Sequence, residues 1–502
     1  MSNPNPSGPP ITAPRWLVWL LVLAFAAYAV FLHSHTTAVA AGSDSSGYLN
    51  SAQLFAQGRL VAEQRLVPEL SAGNSVFHFM PLGFWPSQPP GKFVPTYPPG
   101  LPLHFALAGL LTGWNAGPLL VILSSALAAV WFCYLAAREL GLAPTLAAAG
   151  AATLACSPLF LFSSLQPLSD TLAATWCLIA VWAALRARRG ELGWAAACGA
   201  AFAVAVLVRP SNALLLPCLL MLLGDWRRLA AAALGGLPGA LWLGYLNHAL
   251  YGGALRSGYG DITPLLETQW FWPTLAHFGH WLVRLLPAGV VILPLAALLR
   301  WRGQTRTLLA LALWAAAFLL FYAFYSVSHE TWWCLRFILP AVPALILSAL
   351  LGLDAICARA SSAALTARWR HAAAAGWLLW ALGTALYWNP RLDVLHLGRY
   401  ETVYLDATRW ANAHLPKNAL VACMFASGSV YYYTDFPILR WDLIPPEDFR
   451  LYAGKLRHSG RPLYALLFPG EQDSALQEHM PDKWEKVGEV SGIGFWKLSA
   501  AP

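Results

Sequence analysis

Charge is scarce in this sequence: Asp, Glu, Lys and Arg supply 11% of its 502 residues, while 58% are hydrophobic. A soluble domain carries about 25% charged residues, so the composition excludes an ordinary water-soluble enzyme and calls for a membrane protein. A disulfide framework is also missing. Seven of the 8 cysteines (133, 156, 177, 198, 218, 334 and 357) lie in or beside apolar runs and only Cys423 falls in a polar stretch, so no bridge is expected. Zinc-ligand spacing, a Gly-rich phosphate loop and a Ser-His-Asp order are all absent, which leaves an ATP or nucleotide-sugar site without support. His33, His35, His78, His104, His277, His280 and His329 are scattered and read as interfacial rather than as ligands.

What is present is a series of apolar runs. Crossing a bilayer takes roughly 20 apolar residues, at about 1.5 Å per residue through a core about 30 Å thick. The candidate spans are 16–34, 116–137, 145–165, 170–186, 192–208, 211–224, 229–250, 279–299, 307–326, 336–355 and 372–388, about eleven in all. The polar, Pro-rich residues 1–15 show no cleavage site after the first run, so they read as a cytoplasmic tail before an uncleaved span. Leu101–Thr112 is too short to cross and reads as a re-entrant or interfacial helix. With the N-terminus inside, thirteen arginines face four acids on the cytoplasmic side, a net +9. The outer loops balance seven bases against seven acids. The overall +8 is then a topology signal rather than a nucleic-acid surface.

From about Asn389 the composition turns soluble, with 12 bases and 13 acids, and eleven spans would put this region outside. Its pattern predicts a helix over 403–415, a strand over 420–425, a Gly-containing turn at 427–429 leading to Tyr431–Tyr433, a strand over 463–468, a short helix near 473–480 and a strand near 494–498. Alternating helix and strand predict a small extracytoplasmic α/β domain, residues 389–502, behind a membrane domain of residues 16–388.

The chemistry is expected in the outer connections. The first, residues 36–100, opens with Gly42-Ser43-Asp44-Ser45-Ser46-Gly47-Tyr48. Asp44 or Ser45 fits an N-cap, and Asp44 equally fits a general base facing an outer cavity. The same loop ends with Lys92 and with Tyr97-Pro98-Pro99-Gly100, a stiff lead-in to a helix that would hold Lys92 and Tyr97 over a phosphate. Ser169 and Asp170 sit at another outer turn, where they either cap the next helix or converge with Asp44. Arg209 in an Arg-Pro hairpin, and Arg336 after His329-Glu330-Thr331-Trp332-Trp333, are ionisable groups at membrane depth, which are costly and functional by default unless they snorkel to headgroups. A guanidinium suits a phosphate because its planar fork pairs two oxygens.

The order of these motifs (Gly42-Ser43-Asp44 with Tyr48, the Tyr97-Pro98-Pro99-Gly100 lead-in, Ser157-Pro158 with Ser169-Asp170, and the Arg209-Pro210 hairpin) resembles the C-type (GT-C) membrane glycosyltransferases, family 39-like, of the protein O-mannosyltransferase and aminoarabinose-transferase type. The resemblance covers residues 10–390. It implies a polytopic α-helical GT-C-like fold and transfer of a hexosyl or pentosyl sugar from a polyprenyl-phosphate donor to a lipid, glycan or protein acceptor outside the cytoplasm. It implies Asp44 as the catalytic acid of the first loop and Asp170 as the second. Lys92, Arg209 and Arg336 would hold the donor phosphate, and Tyr48, Tyr97, His329 and Glu330 would line the substrate. The chain departs from the type in having one acid at Asp44 and Thr96-Tyr97-Pro98 where relatives have Glu-Lys-Pro, so no metal ligand is assigned and a divalent metal stays open. The localisation implied is the inner (plasma) membrane. A lipid or sugar transporter or flippase is the rival reading; it calls for ionisable groups near mid-membrane, whereas here they gather at span ends.

Overall fold

The computed structural model describes residues 15–70, 76–87 and 91–499; most of the expected cytoplasmic tail, residues 1–14, lies outside them. The first apolar run forms α1 (Arg15–His35), and the first outer connection then begins as a helix, α2 (Asp44–Ala56). The connection continues as a three-stranded antiparallel sheet of β1 (Ala62–Glu63), β2 (Phe84–Pro86) and β3 (Lys92–Pro95), with β3 central. The short helix expected after the prolines is α3 (Gly100–Thr112).

The membrane part continues as α4 (Gly117–Glu139), α5 (Pro144–Cys156), α6 (Pro158–Ser164), α7 (Ser169–Ala187), α8 (Leu192–Val208), α9 (Leu216–Leu223), α10 (Trp226–Tyr251), α11 (Phe271–Leu285), α12 (Gly289–Ala297), α13 (Trp301–Ala323), α14 (Val342–Cys357) and α15 (Ala363–Arg391). A tight 3-10 segment, Trp332–Ala341, leads into α14. Proline in the first turn starts α4, α5, α6, α9 and α14, where its missing N–H costs nothing. Left-handed glycines, Gly224 and Gly252, stop α9 and α10.

Among the described residues, six helices are long and apolar enough to cross a membrane, or eight if each of two bent pairs is one span. The expected eleven are therefore not reached on length and composition: α8 and the 210–223 segment are shorter apolar helices. The bends correct two expected spans. Residues 145–165 break by 60° at Ser157-Pro158, and the 279–299 span is a 94° corner between α11 and α12. In both, a residue before proline is driven out of the helical region, as at Leu286 with φ −130° and ψ 160°.

Burial sorts these helices. Only 6% of the apolar window of α10 is covered by protein, against 78% for α7 and for the Trp332–Cys357 stretch. The central pair, α7 and Trp332–Cys357, is the pair that carries Asp170 and Arg336. Backbones approach closely where side chains vanish: a Cβ at Gly199 would strike Ala232 of α10, and one at Gly235 would strike Ala196 of α8. Small residues at such crossings are what association in lipid favours.

The C-terminal lobe comprises α16 (Leu397–His414), β4 (Leu420–Ala422), α17 (Ser427–Tyr433), β5 (Ile438–Leu439), α18 (Pro446–Ser459), β6 (Leu463–Leu467), β7 (Trp484–Val490) and β8 (Ile493–Leu498). Its sheet has the order β5-β4-β6-β8-β7, parallel across β5-β4-β6 and antiparallel beyond. Strand periodicity sends Leu463, Ala465 and Leu467 into one core and Tyr464 and Leu466 into the other. The first of these cores also takes Val67, Leu70 and Phe79 from the first outer connection, so lobe and loop share a core. The Gly-containing turn expected at 427–429 is instead the start of α17. Gly428 lies so close to Ser46 of α2 that any Cβ would collide with it, and this contact overrides the turn preference. α18 and β7 were not legible in the sequence pattern.

Candidate active site

Four charged side chains from four segments meet at one end of the membrane part. Asp44 is the first residue of α2 and Asp170 the second of α7; neither caps its helix. Arg336 Nη2 lies 2.8 Å from Asp44 Oδ2, and its Nη1 is 3.8 Å from Asp170 Oδ2. Arg209 Nη1 pairs with Asp170 Oδ1. The side chain of Asp170 is 2% exposed and that of Asp44 30%, so one acid is sealed beneath the arginines and the other opens outward.

Local sequence explains each position. Pro210 forbids helix at the residue before it, so Arg209 leaves α8 extended, at φ −147° and ψ 118°, beside the start of α7. Gly100 allows the start of α3 to rest on the end of α8, because a Cβ there would clash with the backbone of Val208. The Tyr97-Pro98-Pro99-Gly100 lead-in is thereby fixed next to Arg209. Tyr97 Oη donates to Asp44 Oδ1 at 2.7 Å and lies 2.7 Å from Ser43 Oγ. Tyr48 Oη donates to Ser169 Oγ at 2.8 Å, and the two tyrosine rings are 4.7 Å apart. Phe337 lies under both cations, 5.6 Å from Arg209 Cζ and 5.4 Å from Arg336 Cζ.

Burial alone would raise the carboxyl of Asp44. The Arg336 charge and the hydrogen bonds from Tyr97 and Arg336 outweigh it and hold the group below the ordinary aspartate range. Arg336 Nε, by contrast, is buried without a hydrogen-bond partner. A buried donor left unmade is costly, and here it belongs to the guanidinium paired with the open carboxylate.

The other sequence candidates fall around or outside this cluster. His329 stacks on Trp270 at 4.7 Å, with His329 Nδ1 and Trp270 Nε1 both buried and unpartnered. Glu330 is exposed. Lys92 is exposed on β3 and forms no part of the Asp–Arg cluster. Sequence reading missed Ser43 and Ser169 as partners, Phe337 as the shared ring, and two residues that face the acids from afar. Tyr259, in the loop after α10, lies 6.2 Å ring to ring from Tyr97. Glu401, on α16 of the lobe, is raised to about 7 by its burial and then by the charge of Asp44. No local motif announces either.

The helical bundle with its α/β lobe is similar in fold to solved membrane glycosyltransferases, in line with the GT-C-like fold that the sequence resemblance implied. Within it, residues 97–243 match the family model described as dolichyl-phosphate-mannose-protein mannosyltransferase. The chain is similar over 98% of its length, and 99% of the other, to ArnT from Cupriavidus metallidurans bound to undecaprenyl phosphate, with a TM-score of 0.60 at 16% identity. It is also similar to the archaeal oligosaccharyltransferase AglB from Archaeoglobus fulgidus, solved with an inhibitory peptide and a dolichol-phosphate (97% and 74% covered, TM-score 0.55, 12% identity). A third likeness is to the arabinofuranosyltransferase AftD from Mycobacteria (98% and 42% covered, TM-score 0.52, 16% identity). No curated protein matches the chain at a significant level.

Proposed function

We propose that this protein transfers a sugar from a polyprenyl-phosphate donor to a hydroxyl acceptor (lipid, glycan or protein) outside the cytoplasm, with Asp44 as general base. The observation that carries the reading is the Asp44–Arg336–Asp170–Arg209 cluster: one carboxylate open, the other closed, and a guanidinium with a spare donor between them. Asp44 takes the acceptor proton as the acceptor oxygen bonds to the anomeric carbon. The bond from that carbon to the phosphate oxygen breaks with its electron pair on the phosphate, and in-line displacement inverts the centre. Arg336 and Arg209 stabilise the charge that grows on the phosphate. Asp170 keeps both guanidiniums in register and is a positioning residue. Lys92, exposed on its strand, stands apart from this chemistry.

The arrangement supports transfer over translocation, because the Asp–Arg cluster sits at one end of the spans and not at their middle, where a transporter needs its ionisable groups. The arginine asymmetry supports a cytoplasmic N-terminus in the inner membrane, with residues 389–502 outside. The test is a transfer assay on the purified protein with native lipid extract, read by mass spectrometry, beside a comparison of envelope lipids and glycans from a deletion strain. Unchanged envelope lipids and glycans, with no transfer in vitro, would sink the reading.

A further inference from the structure

The opposite end of the bundle carries a second charge cluster. α7 is the ruler. Asp170 is its second residue and Arg188 caps its far end, and eighteen residues at about 1.5 Å each separate them by roughly 27 Å, close to the thickness of the hydrocarbon core. There, Arg188 Nη1 donates to Thr307 Oγ1 of α13 at 2.8 Å. The neighbouring Arg306 lays its guanidinium against Gly224, in the turn between α9 and α10. Arg228 of α10 reaches the carbonyl of Leu223 at 3.4 Å and that of Arg188 at 3.5 Å. Three guanidiniums from three helices thus converge on one turn, and Arg188 feels the like charges of Arg306 and Arg228.

No carboxylate neutralises them among the described residues. Glu139 is taken by Arg186 at 3.3 Å and Arg189 at 2.5 Å, and Asp225, in the same turn, forms no ion pair with them. Arg188 is held by a hydroxyl and Arg228 by carbonyls, and three guanidiniums gathered this closely suit a phosphate, which each can pair through two oxygens. The surroundings are those of a lipid. Trp226 is 70% exposed, with the Arg227 guanidinium 5.6 Å from its ring, and α10 turns Leu234, Leu237 and Leu241 outward further along. Interfacial Trp and a basic pocket between spans are the features that hold anionic headgroups.

We propose that Arg188, Arg228 and Arg306 bind the phosphodiester headgroup of an anionic phospholipid in the leaflet opposite the Asp44 cluster. The charge asymmetry makes that leaflet the cytoplasmic one. The site is independent of the transfer chemistry, about 27 Å away along α7.

The full-length protein is purified and placed in phosphatidylcholine nanodiscs with increasing phosphatidylglycerol or cardiolipin, or with inorganic phosphate alone. Thermal unfolding and retained lipid, read by native mass spectrometry, are compared for wild type, for Arg306→Gln and for the Arg188→Gln/Arg228→Gln/Arg306→Gln variant. Anionic lipid is expected to raise the wild-type melting temperature and remain bound. The triple variant needs about a hundredfold more, at roughly fivefold per charge, and Arg306→Gln, an exposed change that keeps the fold, is weakened about fivefold. Equal protection by phosphatidylcholine, equal protection by inorganic phosphate, or undiminished anionic-lipid retention in Arg306→Gln each overturns the proposal.

Discussion

Replacing Asp44 by Asn removes one charge and almost no volume, so it separates the chemistry of the carboxylate from its place in the fold. Asn keeps an oxygen to accept from Tyr97, now 2.7 Å away. It cannot accept a proton from a substrate, and it no longer neutralises Arg336, 2.8 Å away. Because Asp44 is 30% exposed and Arg336 retains Asp170 at 3.8 Å, the stability loss should fall below the 3–5 kcal/mol of a fully buried broken pair, at about 1–2 kcal/mol. The loss of a general base is larger, about 10²–10⁴ in rate, or roughly 2.7–5.4 kcal/mol of barrier. The assay measures sugar transfer per folded molecule by mass spectrometry, with carrier-lipid binding measured beside it. Asp44→Glu keeps a base but displaces it by about 1 Å, and a near-hundredfold loss is expected. Full activity in Asp44→Asn refutes the base assignment. A loss that merely follows unfolding, or weaker lipid binding, assigns Asp44 to structure instead.

Asp170→Asn strips the sealed counter-charge from Arg209 and Arg336, and a cost of about 3–5 kcal/mol is expected in detergent unfolding; an unchanged melting temperature contradicts its positioning role. Gly100→Val drives side-chain atoms into the Val208 backbone and should cost about 1–3 kcal/mol or more, whereas Gly376→Ala in α15, with nothing within 4 Å, should be neutral or stabilising. Glu401 binds its proton more tightly folded than unfolded, so its contribution to stability falls as pH rises from about 4.3 through about 7. Glu401→Gln should flatten that slope, and a pH–stability profile identical to wild type would contradict it. Asp44 has the opposite sign. Its carboxyl is lowered on folding, so its contribution is full above its unfolded value and disappears only as pH falls through the folded one, which an acid titration of wild type against Asp44→Asn measures.

What could be read in the sequence followed from local regularities. Apolar run length sets the membrane class because a span must bury its backbone within itself, and Arg counts per loop indicate sidedness because each is an independent charge. The strand at Leu463–Leu467 was visible in its apolar run, and Asp44, Asp170, Arg209 and Arg336 stood out as charges in apolar surroundings. Their pairing was not visible. Arg336 reaches Asp44 across nearly the whole membrane part, and Tyr259 and Glu401 arrive from distant segments, so no spacing rule relates them. Lys92 and Tyr97 share one short stretch, yet the strand exposes the first and Gly100 pins the second against the acid. The sequence by itself determined that this chain is a membrane protein and which charges are expensive enough to need a reason. Tertiary structure alone decided which carboxylate is sealed and which is open, because that depends on which backbones approach closely enough to bring a guanidinium between them.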